Sequence, residues 1–306
     1  MKIGVQSAPL FDELPMDEAF SLLKETGFDA IDFNIDHELP GNDIVSGRRS
    51  GIFYRSEREV TAFYAPLREA ADRHGIMINQ VHTPFPTYVQ DESAFESVMQ
   101  ALGMSICAAA TLGARHAIVH PATPQYPQDA RLEEEWDLNI RLYTSLIPAL
   151  KKYKVICCLE NMFTSHRNLM IGAACADPHE ACRYIDALND IAGERLFAFC
   201  LDVGHALLTG YDIRKIIHIL GDRIETLHVH DNDGLSDIHM HPYMGKQDWN
   251  RFCSALGEAN YQGVLSFETF NTLAVFPRAL WPECLRLLSA TGRLFVEKIN
   301  SARPPK

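Results

Sequence analysis

Short apolar runs, four to eight residues long, recur along the chain with amphipathic stretches between them. They close the segments KETGFDAIDFNI, DRHGIMINQVH, ATLGARHAIVH, KKYKVICCLE, GERLFAFCLD, GDRIETLHVH and YQGVLSFET, and with KIGVQS at the start they number eight. Each is nearly all apolar, as a strand buried on both faces of a parallel sheet must be. Before most of them stands a helical pattern and then a glycine or a charged turn, the usual way a helix is capped and stopped. MDEAFSLLKET places Phe20 and Leu23 at helical spacing, with Asp17 and Glu18 in the first turn. REVTAFYAPLREAADRH, ESAFESVMQALGMSICAAATLG, LEEEWDLNIRLYTSLIPALKKY, DPHEACRYIDALND and WNRFCSALGEAN repeat the pattern. Asp177-Pro178 predicts a helix N-cap followed by proline at the first helical position.

Strand and helix alternating eight times predict an α/β fold, a (β/α)8 barrel. An open doubly wound sheet is the runner-up. No G-x-G-x-x-G follows the first strand, so a dinucleotide-binding version has no support. No low-complexity linker interrupts residues 1–306, which are expected to form one domain. The one long irregular stretch, Asp36 to Ser56, follows the second strand. In a barrel that places it on the face that carries active sites, as a lid or substrate loop or as a plain surface insertion.

Composition narrows the partners. Of 306 residues, 28 are Lys or Arg and 40 are Asp or Glu, a net charge of −12. Such a surface repels phosphate backbones and anionic lipid, and basic residues cluster only at Arg48-Arg49 and Arg303 to Lys306. Neither nucleic acid nor a membrane is expected as a partner; no apolar run approaches the roughly 18 residues a span requires. Eight cysteines with no C-x-x-C pair read as buried free thiols of a reducing compartment. MKIGVQS is too short and polar for a signal peptide, so a cytoplasmic location is expected.

The chemistry lies where the strands end. In a barrel, active-site groups come from the C-terminal ends of the strands. Read in order, those ends carry His82, His120, Glu160, Asp202 with His205, His228 with His230, and Glu268. A lone histidine there is commonly structural. A carboxylate closing a buried strand is harder to dismiss, because an unpaired buried charge is costly. Glu160, Asp202 and Glu268 with His228 form a set suited to one divalent ion of Mn, Mg, Co or Zn, with no thiolate ligand. Asp202-Val-Gly-His205 has a plainer reading, as a cap on the following turn. His230 points to the same side as His228 if the strand continues, and otherwise belongs to a loop.

In order and spacing these pieces resemble the sugar phosphate isomerase/epimerase superfamily, the xylose-isomerase-like barrels. The resemblance runs the length of the chain and rests on LEN with Glu160, LDVGH with Asp202 and His205, RIETLHVHDNDG with His228, DIHMHPYMGKQDW, and GVLSFET with Glu268. It implies that Glu160, Asp202, His228 and Glu268 bind one cation. It also implies that Glu160 and Glu268 are the acid/base pair that moves a proton through a metal-stabilised enediolate. The expected activity is a sugar or sugar-derivative isomerase or epimerase of carbohydrate metabolism, manganese being one candidate ion. Its partner would be a small sugar or keto-compound, and pairing through outer helices is a further implication. His82, His120, His205, His230, Asp237 and His239 would line the substrate pocket.

The resemblance is imperfect. Ketose 3-epimerases carry an arginine six residues beyond the metal histidine, where this chain has Gly234. Asp237-Ile-His239 instead resembles the zinc-dependent apurinic-site endonucleases. Their nine ligands for three zinc ions match His82, His120, Glu160, Asp202, His205, His228, Asp237, His239 and Glu268. A trinuclear phosphodiesterase is therefore the alternative, set second by the acidic surface and by the ENMFTSHRN segment that begins at Glu160. A catalytically inert binding barrel is the third reading, opposed by the intact glutamates.

Overall fold

The computed structural model describes residues 1–89, 91–124, 132–166 and 169–305. Each apolar run becomes a strand: β1 Ile3–Gln6, β2 Ala30–Asn34, β3 Met77–His82, β4 His116–Ile118, β5 Ile156–Glu160, β6 Phe197–Asp202, β7 Ile224–His228 and β8 Leu265–Phe267. They pair in parallel in the order β8-β1-β2-β3-β4-β5-β6-β7. A parallel bridge between Val229 and Phe267 joins the two ends of that row and closes the ring. This is the (β/α)8 barrel, and the open doubly wound sheet is set aside.

Eight helices wrap the strands: α1 Met16–Glu25, α2 Glu57–His74, α3 Glu92–Leu112, α4 Leu132–Tyr153, α5 Pro178–Ala192, α6 Ile213–Leu220, α7 Trp249–Glu258 and α8 Trp281–Ser301. Local chemistry sets their ends. Ser56 and Glu59 form a capping box on α2. Asp177 accepts from the backbone N–H of His179 and Glu180, with Pro178 at the first helical position, as its sequence predicts. Gly113 ends α3 at φ 74°, a left-handed cap on which the Arg68 guanidinium lies where a Cβ would stand. The closing helix α8, which the apolar pattern did not single out, seals the ring over β1 and β8. Its Phe295 stacks on Trp249 of α7 with ring centroids 5.1 Å apart, and Gly292 lies against Phe267 and Ile3.

Helix α3 changes one expectation. By length and composition it is apolar enough to cross a membrane, although no single uninterrupted run suggested so. In the barrel it is a wall helix packed against α2 and α4, with 61% of its most apolar window buried. The eight cysteines are free thiols, six of them buried and Cys182 and Cys284 partly so.

The stretch after β2 folds into two short 3-10 turns, Asp36–Glu38 and Ile52–Tyr54, flanking a helix at Gly41–Val45. Leu39, Ile44 and Phe53 anchor it in the core while Val45 stays exposed at its tip. A second excursion, unforeseen from the pattern, is an antiparallel hairpin after β5, Phe163–His166 with Leu169–Gly172. Arg167 and Asn168 of ENMFTSHRN lie outside the described residues. Both excursions rise on the face where the strands end. They border a cleft of about 640 Å³ lined by Val45, Phe85, Tyr88, Val89, Phe163 and Thr164, among others.

Candidate active site

Glu160 and Asp202 are the last residues of β5 and β6, His228 is the last of β7, and Glu268 follows β8 directly. Ring closure therefore delivers all four to one point, and their ligand-type atoms lie within 4.8 Å of one another. His228 Nδ1 stands 3.1 Å from Glu160 Oε1, 3.5 Å from Glu268 Oε2 and 3.9 Å from Asp202 Oδ2. None of the four side chains is more than 5% exposed. The two glutamates are driven apart in acidity. Burial opposes the charge on Glu160, but His228 and His120 outweigh it and hold its carboxyl well below the usual carboxylate range. Burial pushes Glu268 well above that range, and Asp202, Glu160 and Asp32 add to the effect against the pull of His228.

The motifs around these residues are a mutual scaffold. Asn161, next to Glu160, accepts from the Asp202 backbone N–H and donates to the Asp202 carbonyl, both at 2.8 Å. Its own carbonyl lies 2.8 Å from His205 Nδ1. Asp202 caps the short helix Val203–Leu208 through the His205 N–H, so the capping reading of D-V-G-H holds alongside its place in the acidic cluster. Gly204 is required by close approach: a Cβ there would stand 1.9 Å from His230 Cε1. Asp231 is buried and accepts from the N–H groups of Asn232, Tyr243 and Gln247 and from Trp249 Nε1. That knot holds the loop from which Asp237 and His239 return.

Of the further groups that adjoin the first, two hold the remaining predicted residues. His230 Nε2 lies 3.1 Å from both oxygens of Asp202, and His230 stacks on His239 at 3.9 Å. His205, His230, Asp237 and His239 together present atoms within 4.8 Å of one another. His205 Nδ1 faces the carbonyl of Asn161, and His239 Nδ1 faces that of Glu268 at 2.9 Å. A carbonyl only accepts, so both Nδ1 atoms carry hydrogen. The opposite nitrogens then turn towards one carboxylate oxygen, Asp237 Oδ2, at 3.4 Å from His205 and 3.0 Å from His239. Two acceptors facing each other require protons or a cation between them. With protons alone, burial disfavours the charge on His205, yet Asp202, Asp237 and Glu160 raise its pKa to about 10. His239 adopts φ 44°, in the left-handed region, a strain of the kind that gathers at functional sites.

The third group is His82, His120 and Glu160. His82 Nε2 stands 3.1 Å from His120 Nε2, and His120 Nε2 stands 3.2 Å from Glu160 Oε2. Among the described residues, the Nδ1 atoms of His82, His120 and His230 have no hydrogen-bond partner. Buried polar atoms left open in this way are costly unless something joins them. Together with a donor set of carboxylates and imidazoles, they fit a divalent cation.

All ten residues predicted for the site meet at this mouth. Sequence reasoning passed over three others. Asp32 lies within β2, fully buried, with Oδ2 3.0 Å from His228 Nε2. Gln6 at the end of β1 donates to Glu268 Oε1 at 3.0 Å. Asn161 is the third. A charged residue inside an otherwise apolar strand was the available signal for Asp32. Gly234, the position held by arginine in the 3-epimerases, has φ 76° and the Lys246 side chain passes 3.7 Å from its Cβ direction. Phe85 and Phe163 connect the cleft to the cluster, with ring centroids 4.8 Å from His120 and His205 respectively.

Comparison with known proteins agrees with this architecture. The family profile described as xylose isomerase-like TIM barrel matches residues 14–291. Solved structures similar to this one include a D-tagatose 3-epimerase-like protein, at TM-score 0.72 and 22% identity, covering 98% of this chain and 99% of that chain. An IolI protein with a bound zinc atom has TM-score 0.70 and 18% identity, with 100% of both chains covered. Other structural neighbours include a D-psicose 3-epimerase and an L-ribulose 3-epimerase. An uncharacterized protein of Methanocaldococcus jannaschii is 24% identical over 276 residues, 89% of this chain and 84% of that one. A second, from Sinorhizobium fredii, is 37% identical over 70 residues, which cover 23% of this chain and 22% of that relative.

Proposed function

The chain belongs to the family of xylose isomerase-like TIM barrels, and from that premise we propose that it is a divalent-metal-dependent isomerase or epimerase of a sugar or sugar-derived keto-compound. The observation that carries this reading is the convergence of Glu160, Asp202, His228 and Glu268 within 4.8 Å. These four would hold the ion, whether Mn, Mg, Co or Zn. When bound, such an ion supplies Lewis-acid polarisation of the substrate carbonyl.

The remaining chemistry belongs to the side chains. β5 and β8 stand three places apart round the ring, so Glu160 and Glu268 reach the axis from different sides. One takes the proton from the carbon beside the carbonyl. The C–H electron pair becomes the second bond of an enediolate, and the negative charge passes to the carbonyl oxygen. The other returns a proton to the same carbon on the far face, giving an epimer; or it returns one to the neighbouring carbon while the hydroxyl proton passes to the former carbonyl oxygen, giving an isomer. His82, His120, His205, His230 and His239 offer ring nitrogens, and Asp237 carboxylate oxygens, to the hydroxyls of a bound polyol. Burial of the cluster excludes water and strengthens each of these contacts.

A second reading has its own support. The nine residues shared with the apurinic-site endonucleases fall into three contiguous groups, and Asp237 faces two imidazole acceptors that a cation would reconcile. A trinuclear phosphodiesterase would use all three. The net charge of −12 disfavours a DNA substrate.

The test is proton exchange. Incubated in heavy water with a panel of keto- and aldo-sugars and each cation in turn, the protein should place deuterium beside the carbonyl. Glu160→Gln and Glu268→Gln should each lower exchange at least about a hundredfold, the lower end of the usual worth of a positioned acid or base. Exchange retained in both variants would remove the assignment. Three bound metals per chain with cleavage of phosphodiesters would favour the second reading.

A further inference from the structure

The four-residue cluster leaves one question of chemistry open: which nitrogen of His228 would meet a cation, and what holds it there. Both nitrogens face carboxylates. Nδ1 looks into the cluster at Glu160, Glu268 and Asp202, and Nε2 looks away from it at Asp32 Oδ2, 3.0 Å distant. Asp32 lies inside β2 and His228 ends β7, 196 residues later, and each is fully buried. Asp32 Oδ2 also accepts from Gln80 Nε2 at 3.1 Å. The orientation of that amide is set by its two acceptors, since Nε2 also faces the Leu227 carbonyl at 3.5 Å, and its Oε1 is left to accept from Asn79 Nδ2 at 2.8 Å. Stacking of His82 on His228, with centroids 5.1 Å apart and planes 9° from parallel, fixes the ring itself. The chain of donors therefore runs one way, from Asn79 through Gln80 to Asp32, and Asp32 has only an acceptor to offer His228.

We infer that Asp32 is a positioning residue: by accepting the Nε2–H of His228 it keeps that proton on the outer nitrogen and leaves the Nδ1 lone pair for a cation shared with Glu160, Asp202 and Glu268. The inference rests on the metal-dependent reading above. A carboxylate behind a ligand imidazole fixes its tautomer and orientation and raises its basicity, and loss of such a partner typically weakens metal binding about 10–100-fold. Asp32 does not touch the reacting atoms in this scheme; it acts through the imidazole.

Two substitutions separate its charge from its acceptor. In Asp32→Asn the amide oxygen takes the place of Oδ2, held there by the donations of Gln80 and His228. The NH2 then takes the place of Oδ1, which has no partner among the described residues. The acceptor survives and the charge does not. Asp32→Ala removes both. Zn²⁺ titrated into metal-free protein against a competing chelator should bind about tenfold more weakly to Asp32→Asn and about a hundredfold more weakly to Asp32→Ala, at unchanged circular dichroism. A merely structural role would not move the second readout, ¹⁵N–¹H spectra of the Zn²⁺-loaded protein. In the wild type His228 should show a protonated, slowly exchanging Nε2 and a metal-shifted Nδ1. In Asp32→Asn the Nε2 proton should move upfield, and in Asp32→Ala it should exchange rapidly. Should Asp32→Ala not fold, the near-isosteric Asp32→Asn decides alone. Wild-type affinity and an unmoved Nε2 signal in folded variants would overturn the inference while leaving the metal site standing. A wild-type protein that takes up neither Zn²⁺, Mn²⁺ nor Co²⁺ would remove both together.

Discussion

Replacing Gly204 by alanine tests how closely the mouth of this barrel is packed. The added methyl would stand 1.9 Å from His230 Cε1, 2.4 Å from Nδ1 and 2.5 Å from Nε2. The ring has no free direction of retreat. It is fully buried, stacked on His239 at 3.9 Å, and its Nε2 is held 3.1 Å from both oxygens of Asp202. Overpacking of a close-packed interior costs about 1–3 kcal/mol, and a lost hydrogen bond to a charged group about 1.5–3 kcal/mol. The better helix propensity of alanine returns about 1 kcal/mol. The net expectation is a loss of about 3 kcal/mol, or about 6 °C in melting temperature at about 2 °C per kcal/mol for a chain of this size. Calorimetry measures it, with Gly103→Ala as the control. Gly103 lies in the middle of α3 with nothing within 4 Å of its Cβ, so there alanine should stabilise by about 1 kcal/mol. Metal affinity of Gly204→Ala should also fall, because Asp202 loses one of the two partners, His230 and the His205 N–H, that orient its carboxylate. A melting temperature within a degree of wild type, with unchanged metal uptake, would refute the packing argument.

Two further outcomes follow from the electrostatics. Stripping divalent ions with a chelator should lower the melting temperature, and returning Zn²⁺ or Mn²⁺ should restore it, since an ion bound only to the folded state at about 100 times its Kd contributes about 2.7 kcal/mol; identical melting curves would argue against the site. Burial, helped by Glu180, raises the Glu135 carboxyl to about 7 from its ordinary 4.5. The folded state therefore holds a proton that the unfolded chain releases, and stability falls as pH rises from about 4.5 to about 7. Glu135→Gln should melt higher than wild type above pH 7 and equally at pH 4.5, and a pH-independent difference would contradict this sign.

Much of this was legible from one-dimensional pattern. Eight apolar runs became eight parallel strands because a strand covered on both faces can carry almost nothing else. Glu160, Asp202, His228 and Glu268 were visible because each interrupts that apolarity just where a strand gives out. Asp32 obeys the same logic two residues earlier, yet β2 reads A-I-D-F-N, and a single charge within a run resembles ordinary alternation. Its role depends on His228, 196 positions away, which no local spacing reports. The hairpin after β5 was hidden for another reason: Phe163–His166 and Leu169–Gly172 are short, partly polar and paired only with each other. Helix α8 begins Trp-Pro-Glu without a capping side chain, so Pro282 and Glu283 in its first turn were the only signals of its start.

Asn161 has a consequence for anyone who would rebuild this barrel from parts. Its paired bonds to the backbone of Asp202, and the seat it gives His205, splice the fifth and sixth βα units into one inseparable cassette. A chimaera with a related barrel should tolerate a junction ahead of β5 or beyond the helix Val203–Leu208. A junction between β5 and β6 would unite an asparagine with a foreign strand and misalign the acidic cluster from within.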